Sequence, residues 1–467
     1  MRMWCLLMSN QPKRLGNYKQ LFSLFLCFLL VSVALASSGC IGGDGDGEEG
    51  LTLTVITRHD TSIQEAFEGP FLNSTYAEAA NVTKVRFMQP VPGLWPRAID
   101  QGGIDVAWGG GPTLFDQLSD LDYLKPLTSD TMQSTLAEIQ DSIGGAPMKR
   151  YNDSQEPVWV AAAISSFGFT VNHNVLDAYG VDTPRTWDDL ANPEYYKDPP
   201  IIGIGNAPDT TSNTRIYEII LQNYGWEEGW IKLTEIAANS AIYYGSVDVL
   251  NAVETGNVAI ATTIDFYGYS SMQDYPETEY IIPEGQSLLN GDPIAIVSNT
   301  EQLDAAEAFV EFVLSPEGQS VWLDENINRM PVREDAFETE YGKTRTQLHE
   351  LFIETINNQG IEFSDALANS YEGTVVPYWE AVLDKPHQDL RNAWNALITA
   401  RDAGKITEQE WNQYIAELGQ PLITLEDAQS LNDQMLTDSA FANEKSVEWA
   451  EAKRQLYSQI EEEIENL

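Results

Sequence analysis

From residue 51 to about residue 298, short apolar runs bounded by turn residues alternate with stretches of helical spacing, and this alternation restricts the fold most. "LTLTVIT" (51–57), "KVRFM" (84–88), "IDVAW" (104–108) and "VWVAAAI" (158–164) read as a first set of strands. "IIGIGN" (201–206), "AIYYG" (241–245), "NVAIATTI" (257–264) and "PIAIVS" (293–298) form a second set. "SIQEAFEGPFLNSTYAEAA" and "PTLFDQLSDLDYL" have helical spacing, and further helices are expected near 213–223 and 226–238. Such a pattern predicts an α/β fold of parallel strands under covering helices. After about residue 335 the strands stop, and four amphipathic stretches follow, ending in "SVEWAEAKRQLYSQIEEEIENL". Trp449, Leu456, Ile460 and Ile464 share one face of that last stretch and are expected to dock on the preceding body.

The start of the chain speaks to compartment. Arg2, Lys13, Arg14 and Lys19 flank the uncharged run "LFSLFLCFLLVSVALA" (21–36), which is shorter than the roughly 20 residues of a membrane span and fits a signal peptide over 1–39. "SSGC" and the acidic spacer "IGGDGDGEEG" follow, so Cys40 is expected to become a lipidated first residue with a flexible linker over 40–50. Cys5 and Cys27 leave with the signal, which excludes disulfides and cysteine metal sites from the mature chain. Sequons at Asn73, Asn81 and Asn152 are compatible with surface glycosylation.

The formal charge is −45, and loss of the leader, with four basic and no acidic residues, makes it −49. That surface excludes nucleic acid and anionic lipid as partners and suits a saline medium. Apolar residues at 43% rule against disorder, and the 428 residues from Cys40 onward can bury more than one core.

One turn raises a specific question. In "IDVAWGGGPTLFDQL" (104–118) an apolar strand meets Gly109, Gly110 and Gly111 before a helix begins. Three glycines cost backbone entropy but let something approach the backbone and its free N–H groups. A tight strand-to-helix turn explains the same residues.

"FGFTVNHNVLDAYGVDTPRTWDDLANPEYYKDPPIIGIGNA", "GSVDVLNAVETGNVAIATT" and "SPEGQSVWLDENINRMPVRED" occur in an order and spacing that resembles the extracellular solute-binding proteins of ABC transporters. The similarity spans roughly 51 to 335 and is nearest to the iron- and small-ion-binding members with the type II periplasmic-binding fold. The resemblance implies one lobe from 51–164 with 294–335, a second from 165–293, and crossing segments near 164–170 and 285–294. Residues 336–467 are left as a helical C-terminal extension. It further implies a monomeric lipoprotein of archaeal type on the outer face of the membrane, without enzymatic activity or cofactor, that delivers a small solute or ion to an ABC permease.

On that fold, groups at the carboxyl ends of strands face the cleft. Arg58, His59 and Asp60 follow the first strand, although Asp60 is also a natural helix cap. Gly110, Gly111 and Thr113 form the glycine turn. In "DTTSNTR" (209–215), Thr211, Ser212 and Asn213 open a helix whose N–H groups suit an anion, with ordinary capping as the competing account. Tyr244, Asp265 and Tyr267 follow later strands, where aromatic packing competes. The ligand class expected is anionic or oxygen-rich, with Arg58 and Arg215 as sources of full positive charge. Two alternatives stand beside it. Ferric iron would use His59, Asp265 and Tyr267, although the adjacent tyrosine pair of ferric-binding relatives is reduced here to Phe266-Tyr267. A secreted hydrolase would use a carboxylate pair among the 71 acids, but no GxSxG, HExxH or P-loop motif supports it.

Overall fold

The computed structural model describes residues 50–358 and 360–467. The expected signal peptide, Cys40 and nearly all of the acidic linker lie outside the described residues. The strands that organise the fold are β1 (Leu51–Thr57), β2 (Val82–Met88), β3 (Val106–Trp108), β4 (Pro157–Asn172), β5 (Ile202–Gly205), β6 (Ser240–Tyr243), β7 (Ile260–Ile264), β8 (Thr278–Ile281) and β9 (Leu289–Ile296). The helices that matter for the site are α1 (Thr61–Leu72), α2 (Pro112–Asp120), α3 (Thr211–Tyr224), α4 (Ser246–Glu254), α5 (Asp265–Asp274) and α6 (Leu303–Leu314). The C-terminal region adds α7 (Thr346–Asn357), α8 (Asp365–Trp379), α9 (His387–Asp402), α10 (Glu408–Gly419), α11 (Leu425–Thr437) and α12 (Ser439–Glu465).

A single long strand joins two sheets. The apolar run expected at 158–164 continues to Asn172, and all 16 residues of β4 are buried. Its first half pairs antiparallel with β9, Val160 opposite Ile294 and Ser166 opposite Leu289. Its second half pairs antiparallel with β7, Phe167 opposite Ile264 and Val171 opposite Ile260. The strand order is therefore β2-β1-β3-β9-β4 on one side and β4-β7-β5-β6 on the other. Within each half the outer strands are parallel: β1 with β2 and β3, and β5 with β6 and β7. Their carboxyl ends carry the loops described below. This is the two-lobed type II periplasmic-binding fold, with a helical extension behind it.

Each half has its own core. Leu53, Val55, Phe67, Trp108, Phe309 and Trp322 belong to the first. Phe169, Trp187, Ile202 and Trp230 belong to the second, which runs without a break into Tyr378, Trp379, Trp394 and Tyr457 of the extension. Tyr217 of α3 stacks on Trp379 with ring centroids 4.8 Å apart. Trp449, Ile460 and Ile464 are buried as their spacing demands, and Leu456 is partly buried against the same core. Large aromatic side chains in one cluster couple the extension to the second half through apolar burial of roughly 1.5–3 kcal/mol per side chain. By contrast α7 packs on the first half, where Leu348 and Phe352 join its core. The extension thus holds both halves.

Candidate functional site

The glycine turn after β3 binds a carboxylate, and the carboxylate is the protein's own. Gly109, Gly110 and Gly111 have φ of 73°, 116° and 83°, which disfavour any side chain. Gly110 and Gly111 donate their N–H groups to Asp292 Oδ1 at 3.1 and 3.4 Å. A Cβ on Gly109 would lie 2.5 Å from His59 Nε2, so the ring can pack there only against glycine. The N–H groups of Gly110 and Gly111, expected to face a ligand, are directed instead at the side chain that follows Gly291 in β9.

Asp292 anchors a buried polar cluster where the two sheets meet. Its Oδ2 lies 2.9 Å from Arg329 Nη2 and 3.8 Å from His59 Nε2. Burial would raise its pKa, but Arg329, His59 and the two glycine N–H groups outweigh burial and hold it below the ordinary carboxylate range. Arg329 also donates to Ser165 Oγ at 2.9 Å and lies over the rings of Phe266 and Trp322. Burial pushes the His59 imidazole down to about 4, so it is neutral at pH 7. Its Nδ1 then accepts from Arg329 Nη1 at 3.3 Å. His59 is a buried packing group edge-on to Trp108, not a cleft-facing one.

Asp265 is also buried, within reach of the Arg329 charge. Its Oδ2 accepts the N–H of Ser166 at 2.7 Å, and its Oδ1 accepts that of Phe266 at 2.8 Å. Burial, opposed by Arg329 and these N–H groups, pushes its carboxyl up to about 7. Asp60 caps α1 by accepting from Ile63 N at 3.1 Å, as its position before the helix allows. Tyr267 is half-buried on α5; burial, with the charge of Asp60 added, raises its phenol. The iron alternative meets a physical obstacle here, because His59 and Asp265 gather near the Arg329 guanidinium, a cation. Among the described residues no group of three His, Cys, Asp or Glu side chains is placed to hold a metal.

In the second half, α3 and α4 begin side by side. Ser212 Oγ and Ser246 Oγ are 3.2 Å apart. Neither helix has a side-chain cap: Thr210 donates its hydroxyl back to Asn206 O at 2.6 Å, and Gly245 has no side chain to offer. The first-turn N–H groups of two helices therefore lack side-chain partners next to two hydroxyls, an arrangement that attracts negative charge. Thr211 is exposed at the start of α3. Asn213 is buried and structural, its Oδ1 accepting from Gly205 N at 3.0 Å and from the Thr262 hydroxyl, which ties α3 to β5 and β7. Tyr244 is exposed and donates to Asp384 Oδ1 at 3.0 Å.

Two arginines border this region with opposite fates. Arg58 is exposed beside Gly110, and among the described residues it has no ion-pair partner. Arg215 of α3 is committed: it meets Glu218 at 3.1 Å, Asp365 at 2.8 Å and Thr113 Oγ1 at 3.3 Å. Thr113 itself donates to Asp365 Oδ1 at 2.9 Å. Sequence reasoning did not single out Asp292, Arg329, Asp365 or Asp384. The one local signal was an acid, Asp292, directly before the apolar run that begins at Pro293.

Two sheets sharing one long strand, each carrying loops and helix starts at its parallel strand ends, define a two-lobed α/β binding protein. A family model for bacterial extracellular solute-binding proteins matches residues 104–348. The chain belongs to that family. It is 26% identical over 312 residues to the phosphoglycerate transport regulatory protein PgtC of Salmonella typhimurium, covering 67% of this chain and 75% of that protein. The fold is similar to that of an ABC transporter protein from Clostridium perfringens, with a TM-score of 0.54, 20% identity, and 71% of this chain and 99% of that chain covered. It is also similar to the spermidine/putrescine substrate-binding protein PotD from Streptococcus pneumoniae, with a TM-score of 0.51, 19% identity, and 69% and 96% of the two chains covered. Among the described residues no helix is long and apolar enough to cross a membrane.

Proposed function

We propose that this solute-binding protein takes a small anionic, oxygen-rich solute between its lobes and hands it to an ABC importer. The observation that carries the reading is the paired, uncapped start of α3 and α4, with Ser212 and Ser246 hydroxyls 3.2 Å apart. Each helix start carries roughly half a positive charge, and the two together favour an oxyanion against the single first-turn carboxylate, Asp248 of α4, with Arg215 of α3 engaged elsewhere. Arg58, exposed and without an ion-pair partner among the described residues, supplies a full charge from the facing lobe as the lobes approach. A relative named for phosphoglycerate transport supports the same ligand class. The lobes comprise 51–164 with 294–335 and 165–293, and 336–467 is the extension.

In this account the protein performs no chemistry on its solute, acts as a monomer and is tethered outside the cell through lipid on Cys40. The acidic spacer after Cys40 gives it reach to the permease. Native mass spectrometry of the protein as purified tests the reading. A bound organic phosphate or carboxylate supports it, and a bound polyamine or metal ion alone contradicts it. Cys40→Ser tests the anchor, since protein that stays processed and membrane-bound after that change has another attachment.

A further inference from the structure

The C-terminal extension reaches into the junction between the lobes and places a carboxylate where the two meet. Asp365 opens α8, and its Oδ1 accepts from Thr113 Oγ1 at 2.9 Å and from Arg215 Nη2 at 2.8 Å. Thr113 lies in the first turn of α2, in the half built on β1–β3, and Arg215 lies on α3, in the half built on β5–β7. One oxygen atom of the extension therefore bridges the two halves, alongside the direct hydrogen bond of 3.3 Å from Arg215 Nη2 to Thr113 Oγ1. The contact is largely withdrawn from water, with the Arg215 and Asp365 side chains 13% and 19% exposed.

The surroundings fix Asp365 in that position. Ser364 donates its N–H to Gln222 Oε1 at 2.8 Å and accepts from Gln222 Nε2 at 3.0 Å, so α3 holds the residue before it. The ring of Phe363 lies under the Arg215 guanidinium, 4.7 Å from its central carbon. On the same guanidinium, Glu218 is almost fully buried, and burial, only partly offset by Arg215, pushes it up to about 8.

We propose that Asp365 acts as a built-in anion: it occupies the acceptor position that Thr113 and Arg215 share, which an anionic solute would otherwise take, and so helps draw the lobes together without one. It also keeps the charge of Arg215 away from the cleft, which makes Asp365 a specificity-determining residue supplied by the extension. The second part rests on the anionic reading of the solute; the first does not. A carboxylate bound by a guanidinium and a hydroxyl is the same recognition chemistry that a free carboxylate or phosphate would use.

The test uses small-angle scattering and calorimetry on the full chain, its Asp365→Asn variant, and an Asp433→Asn control that removes the same charge from an exposed site. Asn retains the size of Asp, and Ser364 still caps α8 by accepting from Leu367 N at 3.1 Å, so the fold is preserved. Without added anion, Asp365→Asn should show a larger radius of gyration than the wild type, and the control should not. Inorganic phosphate should reverse that expansion and bind the variant roughly tenfold more tightly than the wild type, because the carboxylate that competes for Arg215 and Thr113 has been neutralised. An unchanged radius in ligand-free Asp365→Asn overturns the proposal, as does phosphate binding that leaves the expansion in place or is no tighter than in the wild type. Expansion with no phosphate binding in any variant upholds the joining of the lobes and removes the anionic reading instead.

Discussion

Asp292 accepts the N–H of Gly110 at 3.1 Å, across 182 residues of chain, and this bond links the glycine turn of the first lobe to a strand that leads back from the second. The turn is thus part of the crossing region between the lobes. Its geometry matters for stability before it matters for binding.

Gly109→Ala should therefore destabilise the protein strongly. The new methyl group would sit 2.5 Å from His59 Nε2, at a φ of 73°. A backbone conformation of this kind combined with a rigid neighbour costs about 2–4 kcal/mol, read by urea denaturation. Asp292→Asn should cost about 3–5 kcal/mol because it leaves the buried Arg329 charge without its partner. Loss of less than about 1 kcal/mol in both would show the cluster to be incidental.

Stability should depend on pH through Glu218. Its pKa is raised in the folded protein from 4.5 to about 8, so folding binds a proton there. The stabilisation is complete below pH 4.5 and is lost as pH rises towards 8. Asp265, raised from 3.8 to about 7, acts in the same sense, and His59, lowered from 6.5 to about 4, acts in the opposite one below pH 6.5. Glu218→Gln should accordingly lose less melting temperature than the wild type between pH 6.5 and 8. Parallel melting curves for the two proteins over that range would refute the assignment.

The extension and the second lobe should unfold as one unit, because Trp379 stacks on Tyr217 inside a shared core. Trp379→Ala should cost about 3–5 kcal/mol, as for other buried aromatic truncations. Calorimetry should show the second lobe and α8–α12 melting in a single transition. A separate low-temperature transition confined to the extension would contradict the shared core.

Much of this architecture was legible in the sequence because burial patterns are local. The alternation of "IDVAW" and "PTLFDQL" places β3 and α2, and the apolar spacing of Trp449, Ile460 and Ile464 places the last helix. The length of β4 was less legible, since its second half, "SSFGFTVN", mixes polar and apolar residues that gain their partners only from β7 and β8. Site residues fared unevenly for a related reason. Ser212 and Thr211 could be placed by helix-start chemistry, which is local. The roles of His59, Asp265 and Gly110 depend on Arg329 and Asp292, which lie far away in sequence, and no spacing rule relates them. Asp365 was invisible for the same reason, as a first-turn acid in a helix that resembles no part of the family pattern.

Ser212→Ala and Ser246→Ala should each weaken solute binding by about 1 kcal/mol, the net worth of one hydrogen bond, with little change in stability. Arg58→Gln should weaken it further and reduce its sensitivity to salt, because an exposed charge is screened by ions. Calorimetric titration at two salt concentrations reads both effects. Wild-type affinity in the double serine variant would mean that the α3 and α4 starts do not touch the solute.

The most direct measurement is a titration of the full chain with 3-phosphoglycerate, inorganic phosphate and spermidine, followed by heat and by scattering. A single saturable site for a phosphorylated or carboxylate anion, weakened by Ser212→Ala, is the predicted result. Tight binding of spermidine with no heat from either anion would contradict the account.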